Sequence, residues 1–336
     1  MRVAMLGSIS WRTPPRAYGP WELTTSLLTE ALVERGVDIT LFATLNSVTR
    51  ARLNGVIPRG YSEDPTIDAK VAEALHIAHC FERADEFDLI HNQADFMPLA
   101  WSRLVDTPMV TTIHGFSSPR IVPVFKQYED RSAYVAISDA DRHPSLSYAA
   151  TIHHGIPIEE FPFDPQGSED LLFFGRIHPD KGAGEAIRAA RAAGRKLVMA
   201  GIVQDEDYHA REVQPFIDGD RVQYRGVLGG AERNRALGSA RAMLHLIGFE
   251  EPFGLSVIEA MACGTPVIAY PKGSMPELIV DGVTGFLVDS FDEAVAAIDR
   301  IGDIDRTACR NHVQQYFTID HMADRYLQLY RKILGG

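Results

Sequence analysis

The stretch that decides the fold is Glu251-Pro-Phe-Gly-Leu-Ser-Val-Ile-Glu259, which runs directly into Ala260-Met-Ala-Cys-Gly264. A Pro-Phe-Gly turn before an apolar run predicts a helix from about Phe253 to Gly264, because glycine commonly ends a helix. Glu259 would lie about 9 Å along the axis from the helix start, at about 1.5 Å per residue. Free N–H groups at that start suit an anion, and the two glutamates suit polar groups on either side of it. A nucleotide-sugar has this order of groups: hexose, diphosphate and ribose.

Composition and charge narrow the classes of protein to consider. The 336 residues are 46% hydrophobic and 23% charged, which is typical of a globular chain long enough for two domains. The sequence contains no run of 18 apolar residues, so we expect no membrane-spanning helix. The segment Met1–Gly7 predicts a buried strand rather than a secretory signal. The scattered cysteines Cys80, Cys263 and Cys309 indicate a reducing compartment, so we expect a cytoplasmic protein. The net charge of −12 disfavours nucleic acid and anionic membranes as partners.

Short apolar runs alternate with amphipathic ones along the whole chain, which predicts βα units and parallel sheets. The segment Ile156–Ser168 is rich in proline and polar residues and predicts a linker. We therefore expect an α/β protein of two Rossmann-like domains, residues 1–160 and 161–318, facing each other across a cleft. Ligands of open parallel sheets bind beyond the carboxyl ends of the strands.

A pair of cations follows the first strand of the second half. The segment Phe174-Gly-Arg176-Ile-His-Pro-Asp-Lys181-Gly182 comes directly after the predicted strand Leu171–Phe174. Arg176 and Lys181 would lie on a strand-to-helix loop, where two fixed cations can neutralise a diphosphate. Surface side chains without a ligand are the alternative, which the two glutamates downstream disfavour.

These segments resemble motifs of the GT4 family, which comprises retaining glycosyltransferases with the two-domain GT-B architecture. The first quoted stretch is similar to the family's E-x7-E signature, and the cationic loop to its G-R-x-x-x-x-K-G pattern. The resemblance implies that Arg176 and Lys181 bind the donor's diphosphate. It also implies that Glu251 orients the hexose and that Glu259 binds the ribose hydroxyls.

The resemblance assigns further donor contacts to the backbone. Phe253, Gly254 and Leu255 would offer N–H groups to phosphate and sugar. Gly201 ends a predicted strand where the family carries a glycine near the donor, and Val227 stands where the backbone usually touches the base. Backbone contacts conceal the identity of the base, so UDP-, GDP- and ADP-sugars all remain open.

Two segments of the first half carry weaker resemblances. Thr112-Ile-His114-Gly115 matches the family's T-x-H-G feature, which implies that His114 contacts the hexose; a structural histidine is the alternative. The loop Pro14–Glu22 resembles a family loop that often has two glycines before the first long helix, and Gly19 would approach phosphate and acceptor there. Pro20 replaces the second glycine and removes one N–H donor, and a plain capping turn explains the pair equally well.

The sequence thus predicts a retaining hexosyltransferase that moves a sugar from a nucleotide-diphosphate donor to an acceptor hydroxyl. A soluble carbohydrate or small molecule is the favoured acceptor, and neither metal nor cofactor is expected, since the resemblance implies catalysis by fixed charges and positioning. It also implies that residues 319–336 form a helix that crosses back to the first domain. The alternatives are a nucleotide-sugar epimerase and a non-catalytic nucleotide-sugar-binding protein. A dinucleotide dehydrogenase is disfavoured, because Leu6-Gly-Ser-Ile-Ser10 lacks the G-x-G-x-x-G turn.

Overall fold

The computed structural model describes residues 1–16, 18–116 and 118–335; Ala17, within the predicted glycine loop, lies outside the described residues. The chain divides into two compact units, Met1–Gly155 with the C-terminal segment from Ile319, and Ile156–Thr318. The first unit thus ends at Gly155 rather than at residue 160. The reason is that the N–H of Ile156 already donates to the carbonyl of Phe317 at 2.9 Å, inside the second unit.

The first unit is built on a parallel sheet with the strand order β3-β2-β1-β4-β5-β6-β7. Its central strands are buried along nearly their whole length, as expected for a parallel sheet covered on both faces. Its elements up to the linker are β1 Arg2–Leu6, α1 Pro20–Glu34, β2 Asp38–Phe42, β3 Arg52–Asn54, α2 Ala69–Phe81, β4 Leu89–Asn92, β5 Met109–Ile113, α3 Val122–Gln127, β6 Ser132–Ala136 and β7 Ala150–Thr151.

The second unit repeats this plan with the order β10-β9-β8-β11-β12-β13, again with parallel neighbours. Its elements are β8 Leu171–Phe174, α4 Ala183–Ala192, β9 Leu197–Ala200, α5 Glu206–Tyr208, β10 Val222–Tyr224, α6 Gly230–Ser239, β11 Ala242–His245, α7 Leu255–Ala262, β12 Val267–Ala269, α8 Met275–Leu278, β13 Gly285–Leu287, α9 Phe291–Arg300 and α10 Arg306–Tyr316. Short 3-10 helices lie at Ala84–Glu86, Met97–Leu104, Pro119–Ile121, Ile158–Glu160, Pro179–Lys181, Gln214–Phe216 and Ile301–Asp303, and a π-helical turn lies at His209–Val213.

The strand order reverses once in each sheet, between β1 and β4 in the first and between β8 and β11 in the second. In open parallel sheets, ligands bind in the crevice that such a reversal opens at the carboxyl ends of the strands. The loops that follow these four strands contain Gly19, Gln93, the cationic segment and the start of α7. The topology therefore fixes where each unit presents a candidate site.

The last helix, α11 Ile319–Ile333, belongs to the first unit. Met322, Tyr326 and Tyr330 are buried in that unit's core. On the helix surface, Arg35 of α1 pairs with the carboxylates of Asp320 and Asp324, each at 2.7 Å. Apolar burial is the larger contribution to this docking, because exposed ion pairs stabilise a fold by less than about 1 kcal/mol.

Several element boundaries differ from the sequence expectation. The sequence pattern predicts a helix over Thr66–Arg83, but helix α2 begins at Ala69, because Asp68 caps it by accepting the N–H of Val71 at 3.0 Å. Strand β3 and helix α6 were not expected from the sequence pattern. None of the helices in residues 1–16, 18–116 and 118–335 has the length and apolar character that a membrane span requires.

Arg306 ties together several segments of the second unit. Its guanidinium donates to the carbonyls of Asp164 and Ala240 at 2.8 Å, to that of Gly238 at 2.5 Å and to the hydroxyl of Thr265 at 3.0 Å. Burial lowers the pKa of Arg306, although Asp164 opposes that shift. The side chain thus supplies charged donors to partly buried carbonyls; those of Gly238 and Ala240 also lie 3.4 Å from the Thr265 hydroxyl.

We predict that Arg306→Met lowers the free energy of unfolding by about 2–4 kcal/mol, because partly buried carbonyls lose their donor. Urea denaturation followed by circular dichroism measures this change. Arg211→Met is the matched control, since Arg211 is exposed in the same unit, and should change stability by less than about 0.5 kcal/mol. Equal effects of the two substitutions would contradict the role given to Arg306.

Candidate functional site

The loop after β8 packs directly against the end of β11. Gly182 has φ = 72°, and a Cβ atom there would lie 2.0 Å from the carbonyl oxygen of Leu246. This contact places Lys181, the residue before it, beside the segment that follows β11. Arg176, earlier in the same loop, donates a hydrogen bond to the side-chain oxygen of Gln204, beyond β9. Both predicted cations therefore lie at the carboxyl edge of the second sheet.

Lys181 and Glu251 form an ion pair in which the ammonium group contacts Oε2 of the carboxylate. The two side chains are only 15% and 12% exposed. Lys181 Nζ also lies 4.6 Å from the ring centroid of Phe249, and His245 Nε2 lies 3.7 Å from the same carboxylate oxygen. Burial raises the pKa of Glu251, but His245 and Lys181 more than offset it and lower the pKa to about 2. Glu251 is therefore a fixed anion.

The loop after β12 holds the turn that begins at Glu251. A Cβ atom on Gly273 would lie 2.2 Å from the carbonyl oxygen of Glu251 and 2.3 Å from its nitrogen. The N–H of Ser274 donates to that carbonyl at 2.9 Å, and the Ser274 hydroxyl donates to the carbonyl of Phe253. The position of Glu251 is thus set by backbone contacts as well as by its charge partners.

Helix α7 begins at Leu255, two residues later than the sequence predicts. Gly254 adopts φ = 100°, a conformation outside the helix that a residue with a Cβ atom rarely takes. Phe253, Gly254 and Leu255 therefore form the turn and the first helical position. Glu259 lies four residues into the helix, about 6 Å along the axis rather than about 9 Å.

Glu259 is buried, with 6% of its surface exposed. Arg233 Nη1, on α6, lies 3.5 Å from its Oε1, and the Arg233 guanidinium stacks 5.0 Å from the ring centroid of Phe161. Burial raises the pKa of Glu259 to about 7, and Arg233 only partly opposes the shift. The pKa values of the two glutamates of the E-x7-E stretch are therefore shifted in opposite directions.

Gly201 brings the ends of three adjacent strands into contact. It has φ = 146°, and a Cβ atom there would lie 1.8 Å from the carbonyl oxygen of Gly175. Its N–H donates to the carbonyl of Gly226 at 2.9 Å, and its own carbonyl accepts the hydroxyl of Tyr224 at 2.6 Å. Val227 follows Gly226 and is 56% exposed. The segments after β8, β9 and β10 thus form one rim.

In the first unit, Trp21 brings the predicted residues Gly19 and His114 together. Gly19 caps α1 with φ = 147°, and Trp21 stacks on the imidazole of His114 with ring centroids 5.4 Å apart. His114 also stacks on His154, with centroids 5.2 Å apart. Burial, with a smaller contribution from His91, lowers the pKa of His114 to about 3, so this ring is neutral near pH 7.

Sequence reasoning missed several polar residues at these edges. His245 is the last residue of β11 and His114 directly follows β5, so a search for histidines at the carboxyl ends of strands would have found both. Glu22 was named only as the residue that ends the loop Pro14–Glu22, yet it is buried and accepts the Ser8 hydroxyl at 2.7 Å and the Trp11 N–H at 3.2 Å. Burial raises the pKa of Glu22. Its place in the first turn of a helix was the available signal.

Residues 158–314 match the family model described as glycosyl transferases group 1. This segment belongs to that family. The group 1 segment covers most of the second unit and includes the cationic loop, the rim and both glutamates.

The names of proteins with similar sequences are consistent with this family. D-inositol 3-phosphate glycosyltransferase of Mycobacterium marinum is 29% identical over 55% of this chain and 45% of its own length. Alpha-maltose-1-phosphate synthase of Mycolicibacterium smegmatis is 31% identical over 61% of this chain and 64% of its own. Glycogen synthase of Mycobacterium tuberculosis is 25% identical over 85% and 81%. The chain spans about half the length of the D-inositol 3-phosphate glycosyltransferases that it matches.

Solved structures share the fold over nearly the whole chain. Sucrose-phosphate synthase from Thermosynechococcus elongatus matches with a TM-score of 0.80 at 20% identity, covering 100% of this chain and 99% of that one. AviGT4, a glycosyltransferase involved in avilamycin A biosynthesis, matches with 0.72 at 23%, covering 100% and 98%. Anabaena Alr3699/HepE in complex with UDP-glucose matches with 0.73 at 18%, covering 99% and 100%. The fold is therefore GT-B.

We predict that the buried carboxyl of Glu259 makes the protein less stable as the pH rises from about 4.5 to 7. The folded state holds this proton up to about pH 7, whereas the unfolded carboxyl releases it near pH 4.5, so the folded state binds more protons between these values. Glu259→Gln does not titrate. The stability of the native protein relative to Glu259→Gln should fall by at most about 3 kcal/mol between pH 4.5 and 8.

Urea unfolding of both proteins across this pH range measures the difference. Glu251 does not interfere, because its pKa of about 2 places its titration below the window. Parallel stability curves for the two proteins would contradict the raised pKa of Glu259.

Proposed function

We propose that this protein is a retaining glycosyltransferase of the GT4 type, which transfers a hexose from a nucleotide-diphosphate sugar to an acceptor hydroxyl. The observation that carries the proposal is the partly buried Lys181–Glu251 pair beside the start of α7, at the reversal between β8 and β11. A cation and a helix N-terminus at one sheet edge suit a diphosphate. A fixed carboxylate next to them suits the hydroxyls of the attached sugar.

The diphosphate, hexose, ribose and base of the donor would each bind to a different part of the site. The diphosphate would contact Lys181 and Arg176 together with the N–H groups of the Phe253–Leu255 turn, and Glu251 would orient the hexose. Glu259 would hold the ribose hydroxyls, since a carboxyl with a pKa of about 7 can accept or donate a hydrogen bond near neutral pH. Val227, in the exposed rim, would contact the base through its backbone.

The chemistry of the site residues supports a retaining mechanism. Glu251, with a pKa of about 2 and a lysine partner, is a weak base and is held by its neighbours. Front-face attack, in which the leaving phosphate accepts the proton of the acceptor hydroxyl, needs no base from the protein. Arg176 and Lys181 would stabilise the charge that develops on the departing diphosphate. The site would then work without a metal ion.

The first unit would supply the acceptor side. Trp21 and His114 form an aromatic stack at the carboxyl edge of its sheet, and such faces suit sugar rings. The names of the relatives refer to D-inositol 3-phosphate, maltose-1-phosphate and glycogen, which are small molecules or carbohydrates. We therefore propose an acceptor of this class and, from the scattered cysteines, a cytoplasmic site of action.

The donor class is tested by thermal shift and by transfer assays with UDP-, GDP- and ADP-sugars. We expect one nucleotide to raise Tm selectively, and Lys181→Ala to abolish that shift and lower kcat/KM by at least about 100-fold. Lys196→Ala removes the same charge from an exposed residue just before β9, at the opposite edge of the sheet, and should leave both unchanged. The absence of any shift in folded protein would reject the nucleotide-sugar site.

The stereochemistry and metal dependence are tested with the donor identified in that panel. We expect NMR of the first product to show the same anomeric configuration as the donor, because front-face attack keeps it. Dialysis against EDTA should leave the rate within about two-fold of the untreated enzyme. An inverted product would reject the retaining mechanism, and a rate restored only by added Mg²⁺ or Mn²⁺ would reject metal independence.

A further inference from the structure

Gln93 joins two histidines at the carboxyl edge of the first sheet. It follows β4 directly and is buried. Its side-chain oxygen lies 2.6 Å from His114 Nε2, and its side-chain nitrogen lies 3.0 Å from His91 Nε2. Both contacts are within hydrogen-bond distance, so one amide connects the two imidazole rings.

The amide determines where the protons of both rings lie. An amide oxygen only accepts, so His114 Nε2 carries a proton and His114 Nδ1 carries a lone pair. The amide nitrogen only donates, so His91 Nε2 accepts and the proton of His91 lies on Nδ1, which contacts the Tyr330 hydroxyl. One side chain thus sets opposite tautomers in the two rings.

His91 is anchored by groups of the core. It is fully buried, and its Nε2 also lies 2.8 Å from the Thr112 hydroxyl, which lies 2.8 Å from the hydroxyl of Tyr326 on α11. Burial lowers the pKa of His91 to about 3, so this ring stays neutral. The Thr112 and Tyr330 hydroxyls thus hold the His91 ring in place beside the Gln93 amide.

The remaining nitrogen of His114 has a weaker protein contact. Nδ1 lies 3.4 Å from His154 Nε2, at the long limit of a hydrogen bond, while Trp21 stacks on the ring. Burial, followed by the neighbouring His114 and His153, holds the pKa of His154 well below its usual value. A sugar hydroxyl could therefore compete for Nδ1.

We propose that Gln93 is a positioning residue that fixes His114 in the tautomer with a proton on Nε2, so that Nδ1 accepts a hydrogen bond from a hydroxyl of the sugar substrate. The sugar substrate in this inference rests on the proposed function, whereas the tautomer of His114 does not. It assigns His114 the role of a neutral acceptor rather than that of a cation or a proton donor.

The tautomers are measured by NMR of the full chain with ¹⁵N-labelled histidine, without substrate, using His114→Gln and His91→Gln to assign the signals. In the native protein we expect Nε2–H for His114 and Nδ1–H for His91. Gln93→Glu keeps an oxygen toward His114 but loses the donor toward His91. We therefore expect His114 to be unchanged and His91 to shift to Nε2–H. Gln93→Leu should leave His114 as a mixture of both tautomers.

Transfer assays supply the functional readout. We expect Gln93→Leu to lower kcat/KM by at least ten-fold, and Gln93→Glu to stay within about three-fold of the native protein. Gln127→Glu introduces the same charge at an exposed position of the same unit and should change neither activity nor the histidine signals.

Two results would overturn the inference. One is Nδ1–H on His114 in the native protein, and the other is an unchanged His114 tautomer in folded Gln93→Leu. If Gln93→Leu fails to fold, the spectra of the native protein and of Gln93→Glu still decide whether the inference holds. Expected tautomers without transferase activity would refute the proposed function but leave the role of Gln93 standing.

Discussion

Close contact between backbone segments at the carboxyl edge of the second sheet is the constraint on which the candidate site depends. Gly201 meets Gly175, Gly182 meets Leu246, and Gly273 meets the backbone of Glu251 at distances that exclude a Cβ atom. Side chains in these places would separate the loops that follow neighbouring strands. Because these loops pack against one another, the backbone segments that carry Lys181 and Glu251 are held rigidly.

The same packing explains why two glutamates eight positions apart differ so much in acidity. Glu259 is buried and Glu251 is largely buried, and burial alone raises the pKa of each carboxyl. Glu251 has Lys181 in contact and His245 nearby, and these partners outweigh its burial. Glu259 has Arg233 at 3.5 Å, which does not. One stretch of sequence thus supplies a permanent anion and a carboxyl that is close to half-protonated near neutral pH, as active sites often require.

Much of the fold was predictable because its signals are local. Alternating apolar runs predicted the parallel sheets, and the rule that ligands bind beyond strand ends selected Arg176 and Lys181. The features that were missed depend on contacts between distant segments. The left-handed Gly254 shifts the start of α7, and Arg306 meets its acceptors only after folding. Gln93 belongs to no motif, and its role becomes evident only from the two histidines that the sheet places beside it.

The docking of α11 has a consequence for the order in which the chain can mature. Met322, Tyr326 and Tyr330 fill the core of a unit whose other residues end at Gly155. During synthesis, the first unit emerges from the ribosome without these side chains and must wait for the whole second unit to be made. Until then its apolar face is uncovered and His91 lacks its tyrosine partner. The nascent first unit is therefore the stage at which chaperone capture or misassembly would act on this protein.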